Sequence, residues 1–348
     1  MQENKNKSKK GTIFNILISI FLVLFIVSAS VIVYVGFIEP QKADSSLQDI
    51  NSELLDIVES EENKEAEIET DFTESEVILE QTSNETTKEE PESEDKRQRR
   101  VIVTALNQLK SIYEDLEGWI VIDNTVVNFP VMQSSKDDPD YYLRRDYKGN
   151  YSRYGSIYLD SNCSPNSGVS ILYGHSMSDK RMFYCLLDMA DPEILKDSPI
   201  IKYDTLSGVG DYKIVSIFKT NTKYSHGAPF NYIDVDFKSD EEKMQYVYEC
   251  MIRSVVDTGV DIDDEDDFIL LSTCSYEFDD FRTAVLARKV RPNEESSVDI
   301  NNIKASENPL YPDVWYKTYG TKKPYYPETL REAVNEGLAD WYIGDLLK

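Results

Sequence analysis

The stretch Phe268-Ile269-Leu270-Leu271-Ser272-Thr273-Cys274 decides how the second half of this chain is organised. A mostly apolar run that ends in a cysteine predicts a buried strand whose last side chain opens into a groove. A polar loop follows, and Arg282 comes eight residues after Cys274. A hairpin of that length places Cys274 and Arg282 on neighbouring strands. The stretch therefore predicts a strand end that carries a thiol beside a guanidinium group.

A histidine ends a second predicted strand. His175 follows Ile171-Leu172-Tyr173-Gly174 and is one of two histidines in the chain. As an imidazolium it would lower the pKa of a nearby thiol and later protonate a leaving amine. The competing interpretation makes Cys274 a small buried hydrophobe and His175 a structural histidine. The flanks of His226 are loop-like, which favours a structural role for that residue.

Arg282 offers a permanent positive charge with several donors that could face a developing oxyanion. The backbone N–H of Ser275 is the expected second donor, and Ser272 and Thr273 are expected beside the substrate. The alternative is a surface arginine paired with Asp279 or Asp280. Neither a cofactor nor a metal ion is required by this chemistry.

The segments between residues 101 and 291 are short and β-branched, and irregular loops separate them. This pattern predicts a mainly β (α+β) domain built on a closed or nearly closed β-barrel that helices decorate. The predicted strands cover residues 118–122, 126–131, 155–159, 169–173, 200–203, 212–219, 268–273 and 283–290. The predicted helices cover residues 101–116, 181–189, 239–255 and 327–347. We expect residues 292–348 to lie against the barrel through Trp315, Tyr316 and Tyr319.

The N-terminus is typical of an uncleaved signal anchor. Residues 12–38 carry no charged side chain, and a helix of that length exceeds the ~30 Å of a bilayer core. Four lysines in residues 1–11 predict a cytoplasmic N-terminus and an extracellular remainder. A cleaved signal peptide is the alternative, but its apolar region would usually be only ~7–15 residues long.

The net charge of −27 is concentrated outside the predicted barrel. Residues 51–95 hold eighteen Asp and Glu against two Lys, which accounts for −16 of that charge. Residues 39–100 therefore predict a disordered, extended spacer. The basic run Lys96-Arg97-Gln98-Arg99-Arg100 is interpreted as solvated surface or a helix start. An acidic extracellular domain argues against nucleic-acid binding.

Four cysteines would permit two disulfides in an extracellular domain. If Cys274 stays free, Cys163, Cys185 and Cys250 remain, and this odd number favours buried thiols. A Cys163–Cys185 bridge stays open as an alternative. The acidic run 261–267 lacks the glycine and glutamate that a calcium-binding EF-hand needs, so we expect a solvated loop.

These motifs together resemble those of the class B sortases, which are membrane-anchored cysteine transpeptidases of Gram-positive bacteria. Leu270-Leu271-Ser272-Thr273-Cys274 differs from the family's Thr-Leu-Ser-Thr-Cys only at its first position. Tyr173-Gly174-His175-Ser176-Met177 matches the histidine motif except that Ser176 replaces the usual Asn. The segment Phe278-Asp279-Asp280-Phe281-Arg282 resembles the approach to the family's arginine. The further matching segments are residues 118–120, 128–133, 141–143 and 155–160.

The resemblance covers about residues 105–291 and implies a sortase β-barrel. It implies that Cys274 is the nucleophile, that His175 is the acid and base, and that Arg282 holds the oxyanion and the substrate. It also implies that the helix 239–255 and its preceding loop help to form the substrate groove. The expected substrates are secreted proteins cut after Thr in a C-terminal sorting signal, and the acceptor is an amine of a peptidoglycan precursor. The alternatives are a pilin-polymerising sortase and a catalytically silent surface-binding module.

Overall fold

The computed structural model describes residues 2–76, 94–165 and 167–347. Residues 77–93 of the predicted spacer lie outside the described residues. The chain divides into two compact units, Met1–Ser52 and Glu53–Lys348. The second unit contains all ten strands of the described residues.

The N-terminal part of the described chain is helical. Helix α1 covers Gln2–Val33, five residues of π-helix follow at Tyr34–Ile38, and helix α2 continues as Glu39–Glu76. Within the described residues this continuous helix is the one that is long and apolar enough to cross a membrane. Its apolar side chains are exposed, as Phe21 and Phe25 show. A lipid-facing helix requires such a surface.

The expectation of an extended spacer over residues 39–100 is wrong where the structure describes it. Residues 39–76 and 94–100 are helical in α2 and in α3 (Glu94–Lys110). The physical reason is composition, because Glu, Lys, Gln, Leu and Ala are all strong helix formers. The pairing of Lys64 with Glu61, one turn apart, adds a favourable charge interaction.

The predicted barrel is confirmed as a closed barrel of eight strands. Their order around the barrel is β1 (Leu116–Val121), β2 (Asn128–Gln133), β3 (Ile157–Leu159), β4 (Val169–Tyr173), β8 (Phe268–Ser275), β9 (Phe281–Lys289), β6 (Asp211–Asn221) and β5 (Ile200–Thr205). Two neighbouring pairs, β2 with β3 and β4 with β8, are parallel, and the other pairs are antiparallel. A separate two-stranded sheet pairs β7 (Val256–Asp257) with β10 (Lys304–Ala305).

Two local features allow the barrel to close. A bulge between Ile214 and Ser216 interrupts the pairing of β6 with β9 and bends the longest strand. Gly118 lies so close to the backbone of β5 that an added Cβ would stand 2.4 Å from the carbonyl oxygen of Asp204. Only a residue without a side chain fits at that crossing of strands.

The helices differ from prediction mainly at their ends. The helix α4 covers only Cys185–Asp188, and a single turn, α5, covers Pro192–Leu195. Helix α6 covers Asp240–Met251 and is capped by Ser239, whose hydroxyl accepts from the N–H of Glu242. Helix α3 ends at Lys110, because the apolar residues near 116 belong to β1 rather than to the helix.

The C-terminal extension corrects the prediction of one helix over residues 327–347. Only α8, Leu330–Asn335, is helical there, and the left-handed Gly337 (φ +70°) follows its end. Helix α7, Asp313–Tyr319, was not predicted. Val314 is its only aliphatic residue and the other apolar residues are aromatic, so no helical periodicity marks it.

The acidic run 261–267 binds the C-terminal segment and is not merely solvated. The carboxylate of Asp264 accepts hydrogen bonds from the Tyr342 hydroxyl (2.6 Å) and from the N–H groups of Asp345 and Leu346 (2.8 Å each). Asp266 forms a two-point contact with the guanidinium of Arg291. Among the described residues no group of His, Cys, Asp and Glu is arranged to hold a metal ion.

Of the two interpretations of the basic run, the helix start is confirmed, because α3 begins at Glu94, and solvated surface is wrong for Arg99, which is buried. It lies 6% exposed on α3 and reaches into the β5–β6 hairpin. Its guanidinium contacts Asp204 at 2.5 Å and Asp211 at 2.6 Å. Burial raises the pKa of the Asp204 carboxyl, and the hydrogen bonds from Arg99 and from the N–H of Gly210 oppose that rise. The ion pairs therefore fasten α3 to the barrel.

We predict that Arg99→Ala lowers the free energy of unfolding by about 3–5 kcal/mol, because it leaves the buried Asp204 and the partly buried Asp211 without their cation. The measurement is urea unfolding of the full chain in mild detergent, followed by tryptophan fluorescence. The matched control is Arg100→Ala, which changes an exposed neighbour and should cost less than about 1 kcal/mol. Equal losses of unfolding free energy for the two variants would show that the ion pairs of Arg99 do not fasten α3 to the barrel.

Candidate active site

Cys274 and Arg282 lie directly opposite each other. Strands β8 and β9 are antiparallel, and their register pairs Cys274 with Arg282. The Cβ atoms of directly opposed residues stand about 5 Å apart. Both residues are partly exposed, whereas the residues before them in each strand are buried. The predicted neighbourhood of thiol and guanidinium is confirmed, and it lies where the barrel opens to solvent.

His175 reaches the same strand end from the other side of β8. Strand β4 runs parallel to β8, with Tyr173 paired to Ser272, and the N–H of Gly174 donates to the carbonyl of Ser272 (3.2 Å). Continued for two more residues, this register places His175 beside Cys274. The Thr273 hydroxyl donates to the carbonyl of Gly174 (2.7 Å) and holds the two strand ends together. Three neighbouring strands thus bring the three predicted side chains to one edge of the barrel.

The His175 ring is oriented by a backbone carbonyl. Its Nε2 lies 2.7 Å from the carbonyl oxygen of Leu143. A carbonyl can only accept, so Nε2 carries a proton and Nδ1 is left to exchange protons. Burial lowers the pKa of His175 below its ordinary value of 6.5, the Leu143 carbonyl opposes this effect, and Arg144 adds to it. The imidazolium is therefore a minority form at neutral pH.

Arg282 is partly exposed at the start of β9. Its Nη1 donates to the neighbouring carbonyl of Phe281 (2.9 Å). Within the described residues no carboxylate lies at salt-bridge distance from Arg282. Asp279 and Asp280 pair with Lys223 instead. The alternative of an arginine neutralised by these two aspartates is therefore wrong.

Two of the three hydroxyl residues around Cys274 form hydrogen bonds within the protein. The Ser272 hydroxyl lies 2.9 Å from the hydroxyl of Tyr232, and both residues are buried. Thr273 bonds to Gly174, as described above. Ser275 is buried at the last pair of the hairpin, opposite Phe281. Ser272 and Thr273 thus support the strand, while the donor role of the Ser275 N–H stays a prediction.

Tyr232 was missed by sequence reasoning. It lies between β6 and α6 in a segment without periodicity, so no pattern marked it. Burial raises the pKa of Tyr232, and the hydrogen bond with Ser272 and the charge of Arg282 oppose that rise. The phenol is therefore a neutral hydrogen-bonding group beside the candidate site.

Two further residues hold the loop that joins Cys274 to Arg282. The hydroxyl of Tyr276 donates to the carbonyl of Ser176 (2.7 Å), which directly follows His175. The buried Lys219 contacts Glu277 at 2.7 Å and the Thr283 hydroxyl at 2.8 Å. Tyr276 is 68% exposed and looks like a surface residue in the sequence. Its hydrogen-bond partner, the carbonyl of Ser176, is apparent only from the fold, which brings the loop after β4 next to the loop after β8.

The other three cysteines do not resemble nucleophiles. All four thiols are free, so the alternative of a Cys163–Cys185 disulfide is wrong. Burial raises the pKa of Cys163 and of Cys185 to about 11 and raises that of Cys250 further. Thiols with such a pKa are inert at neutral pH.

Two curated proteins are similar to this chain in sequence. Sortase B of Staphylococcus aureus is 33% identical over 190 residues, which cover 53% of this chain and 73% of that protein. Sortase B of Listeria monocytogenes is 32% identical over 179 residues, which cover 50% of this chain and 68% of that protein. No protein-family model matches the chain.

Solved structures are similar in fold. A mutant form of Clostridium perfringens sortase B aligns with a TM-score of 0.51 at 24% identity and covers 56% of this chain and 90% of that one. A substrate complex of Staphylococcus aureus sortase B aligns with a TM-score of 0.49 at 30% identity. The alignment covers 54% of this chain and 85% of that one. The first of these alignments shows a shared fold.

We predict that His175 titrates below 6.5, because burial disfavours its charged form. The unfolded chain then binds the proton more readily, so the folded state loses stability as the pH falls from about 6.5 through the folded pKa. NMR of the imidazole protons measures this directly, since the chain has two histidines and His226→Gln assigns them. A His175 pKa at or above 6.5 would contradict the buried ring.

Proposed function

This chain belongs to the sortase B family of cysteine transpeptidases, and from that premise we propose that Cys274, His175 and Arg282 are its catalytic residues. The observation that carries the proposal is the pairing of Cys274 with Arg282 across β8 and β9. The substrate we propose is a secreted protein that is cut after Thr in its C-terminal sorting signal. The product is that protein joined to an amine of a peptidoglycan precursor.

In the first half-reaction the Sγ of Cys274 attacks the carbonyl carbon of the threonine. His175 Nδ1 takes the thiol proton, and the carbonyl oxygen becomes an oxyanion. The Arg282 guanidinium and the N–H of Ser275 stabilise that oxyanion. The C–N bond then breaks, the leaving amine takes the proton from Nδ1, and a thioester remains on Cys274.

The second half-reaction reverses the roles. The acceptor amine attacks the thioester carbon and loses a proton to His175 Nδ1. The tetrahedral intermediate collapses, the C–S bond breaks, and the Cys274 thiolate recovers the proton. The Leu143 carbonyl keeps Nε2 occupied throughout, so the same nitrogen serves both half-reactions.

The N-terminal helix fits this reaction. We propose that residues 12–38 span the cell membrane once, with residues 1–11 in the cytoplasm, the catalytic domain 101–291 outside the cell and residues 292–348 as its extension. The exposed apolar helix and the lysines before it support this topology. Both a newly secreted protein and a lipid-linked precursor would then meet the enzyme at one surface.

We predict that Cys274→Ala abolishes cleavage of a sorting-signal peptide, because no other described thiol lies at the site. The matched control is Cys185→Ala, which removes a partly exposed thiol elsewhere and should retain activity. Mass spectrometry of the peptide products, with and without a peptidoglycan-type amine, measures cleavage and identifies the acceptor. Cleavage by the Cys274→Ala variant would refute the proposal.

We predict that Arg282→Lys lowers kcat for the same peptide about 10²–10³-fold, which is typical of removing one oxyanion donor. A lysine keeps the charge but loses the planar fork of donors. The control is Arg181→Lys, which makes the same exchange six residues after His175. Its kcat should stay within about twofold of that of the unsubstituted enzyme. If lysine at position 282 supports full activity, Arg282 does not hold the oxyanion.

A further inference from the structure

We infer that the C-terminal segment 311–319 is a positioning element for the hairpin that carries Cys274 and Arg282. The inference rests on the proposed function and adds a role for a part of the chain outside the barrel. A cluster of aromatic rings joins this segment to the loop between the two residues.

The centre of the cluster is Phe278, which lies between Cys274 and Arg282 in the sequence. Its ring centroid stands 6.1 Å from Trp315 and 6.1 Å from Tyr319, both on α7, with edge-to-face geometry. Phe281, the residue before Arg282, lies 4.9 Å from Phe278. Tyr311 stacks on Trp315 at 4.0 Å and supports it from behind.

A third segment closes the cluster. The ring centroid of His226 lies 5.8 Å from that of Phe281 and 6.2 Å from that of Phe278. His226 therefore packs among aromatic rings, in the structural role expected from the sequence. Gly227 follows with φ +114°, and an added Cβ there would stand 2.9 Å from the Cβ of Asp313. The turn after β6, the hairpin loop and α7 therefore pack tightly at one point.

The extension can act as a brace because it is itself fastened. The N–H of Leu310 donates to the carbonyl of Ile252 (2.9 Å), and the N–H of Ser306 donates to that of Val255 (3.0 Å). The Tyr248 hydroxyl donates to the carbonyl of Pro327 (2.8 Å). Bonds to the region of α6 thus hold the extension on both sides of α7.

The brace matters because it gives the loop apolar packing that its other contacts do not provide. Those contacts are polar: Lys219 pairs with Glu277, and Lys223 pairs with Asp279 and Asp280. Aromatic pairs of this kind add specific stabilisation beyond the area they bury. A displacement of about 1 Å at a catalytic group can cost about 10²-fold in rate. Loss of the rings should therefore disturb Arg282 more than it disturbs the fold.

The test compares two tryptophans of the extension in the full chain in detergent. Trp315→Ala should lower kcat for the sorting-signal peptide about tenfold, with KM unchanged within about twofold, because a displacement of Arg282 smaller than about 1 Å affects the transition state most. Trp341→Ala removes the same residue type beside Tyr342, away from the hairpin, and should keep kcat. Equal kcat values for these two variants would overturn the inference. Thermal unfolding reports whether each variant folds, and Trp315→Leu replaces the alanine variant if that one unfolds.

A double-mutant cycle separates positioning from a general structural effect. If Trp315 acts through Arg282, adding Trp315→Ala to Arg282→Lys should cost less than about twofold more in kcat, because the effects of coupled residues do not add. A full tenfold further loss would overturn the inference. Retained cleavage by Cys274→Ala would instead refute the proposed function, so the two failures are distinguishable.

Discussion

The pairing of β8 with both of its neighbours is the constraint on which the candidate site depends. On one side an antiparallel register sets Arg282 opposite Cys274, and on the other a parallel register carries His175 to the same edge. Because the side chains of a strand alternate between faces, a slip of one residue in either register would move a functional group to the wrong face. Cys274 and Arg282 are thus aligned by strand pairing, and His175 is placed by the end of β4 and by the carbonyl of Leu143.

The other end of this hairpin explains why the register does not slip. Arg288 pairs with Phe268 at the start of β8 and is 1% exposed. It forms a two-point contact with Glu294, at 2.7 Å for each bond, and this contact holds the pKa of Glu294 well below its usual range. In the same turn Arg291 makes its two-point contact with Asp266, two residues before β8, so charge pairs tie the far ends of β9 and β8 together. The near end can then remain partly open to solvent.

Much of the barrel was predictable because strands that face a core show their pattern locally. Seven residues of mostly apolar sequence ending in Cys274, and a hairpin of the right length, were enough to place Arg282 correctly. The prediction of a helix over 327–347 was wrong because the segment after Gly337 instead forms hydrogen bonds with Asp264, which no local sequence pattern reveals. Tyr276 was missed for the same reason, since its partner lies a hundred residues upstream.

The bond from His175 to the carbonyl of Leu143 has a consequence for how this site can vary. The acceptor belongs to the main chain, and every amino acid offers the same oxygen at that position. Replacing the leucine side chain would leave the tautomer of the imidazole unchanged as long as the one-turn helix Tyr141–Arg144 kept its course. The backbone path at Leu143 therefore decides which nitrogen of His175 carries the proton. Substituting the side chain of residue 143 should not change that.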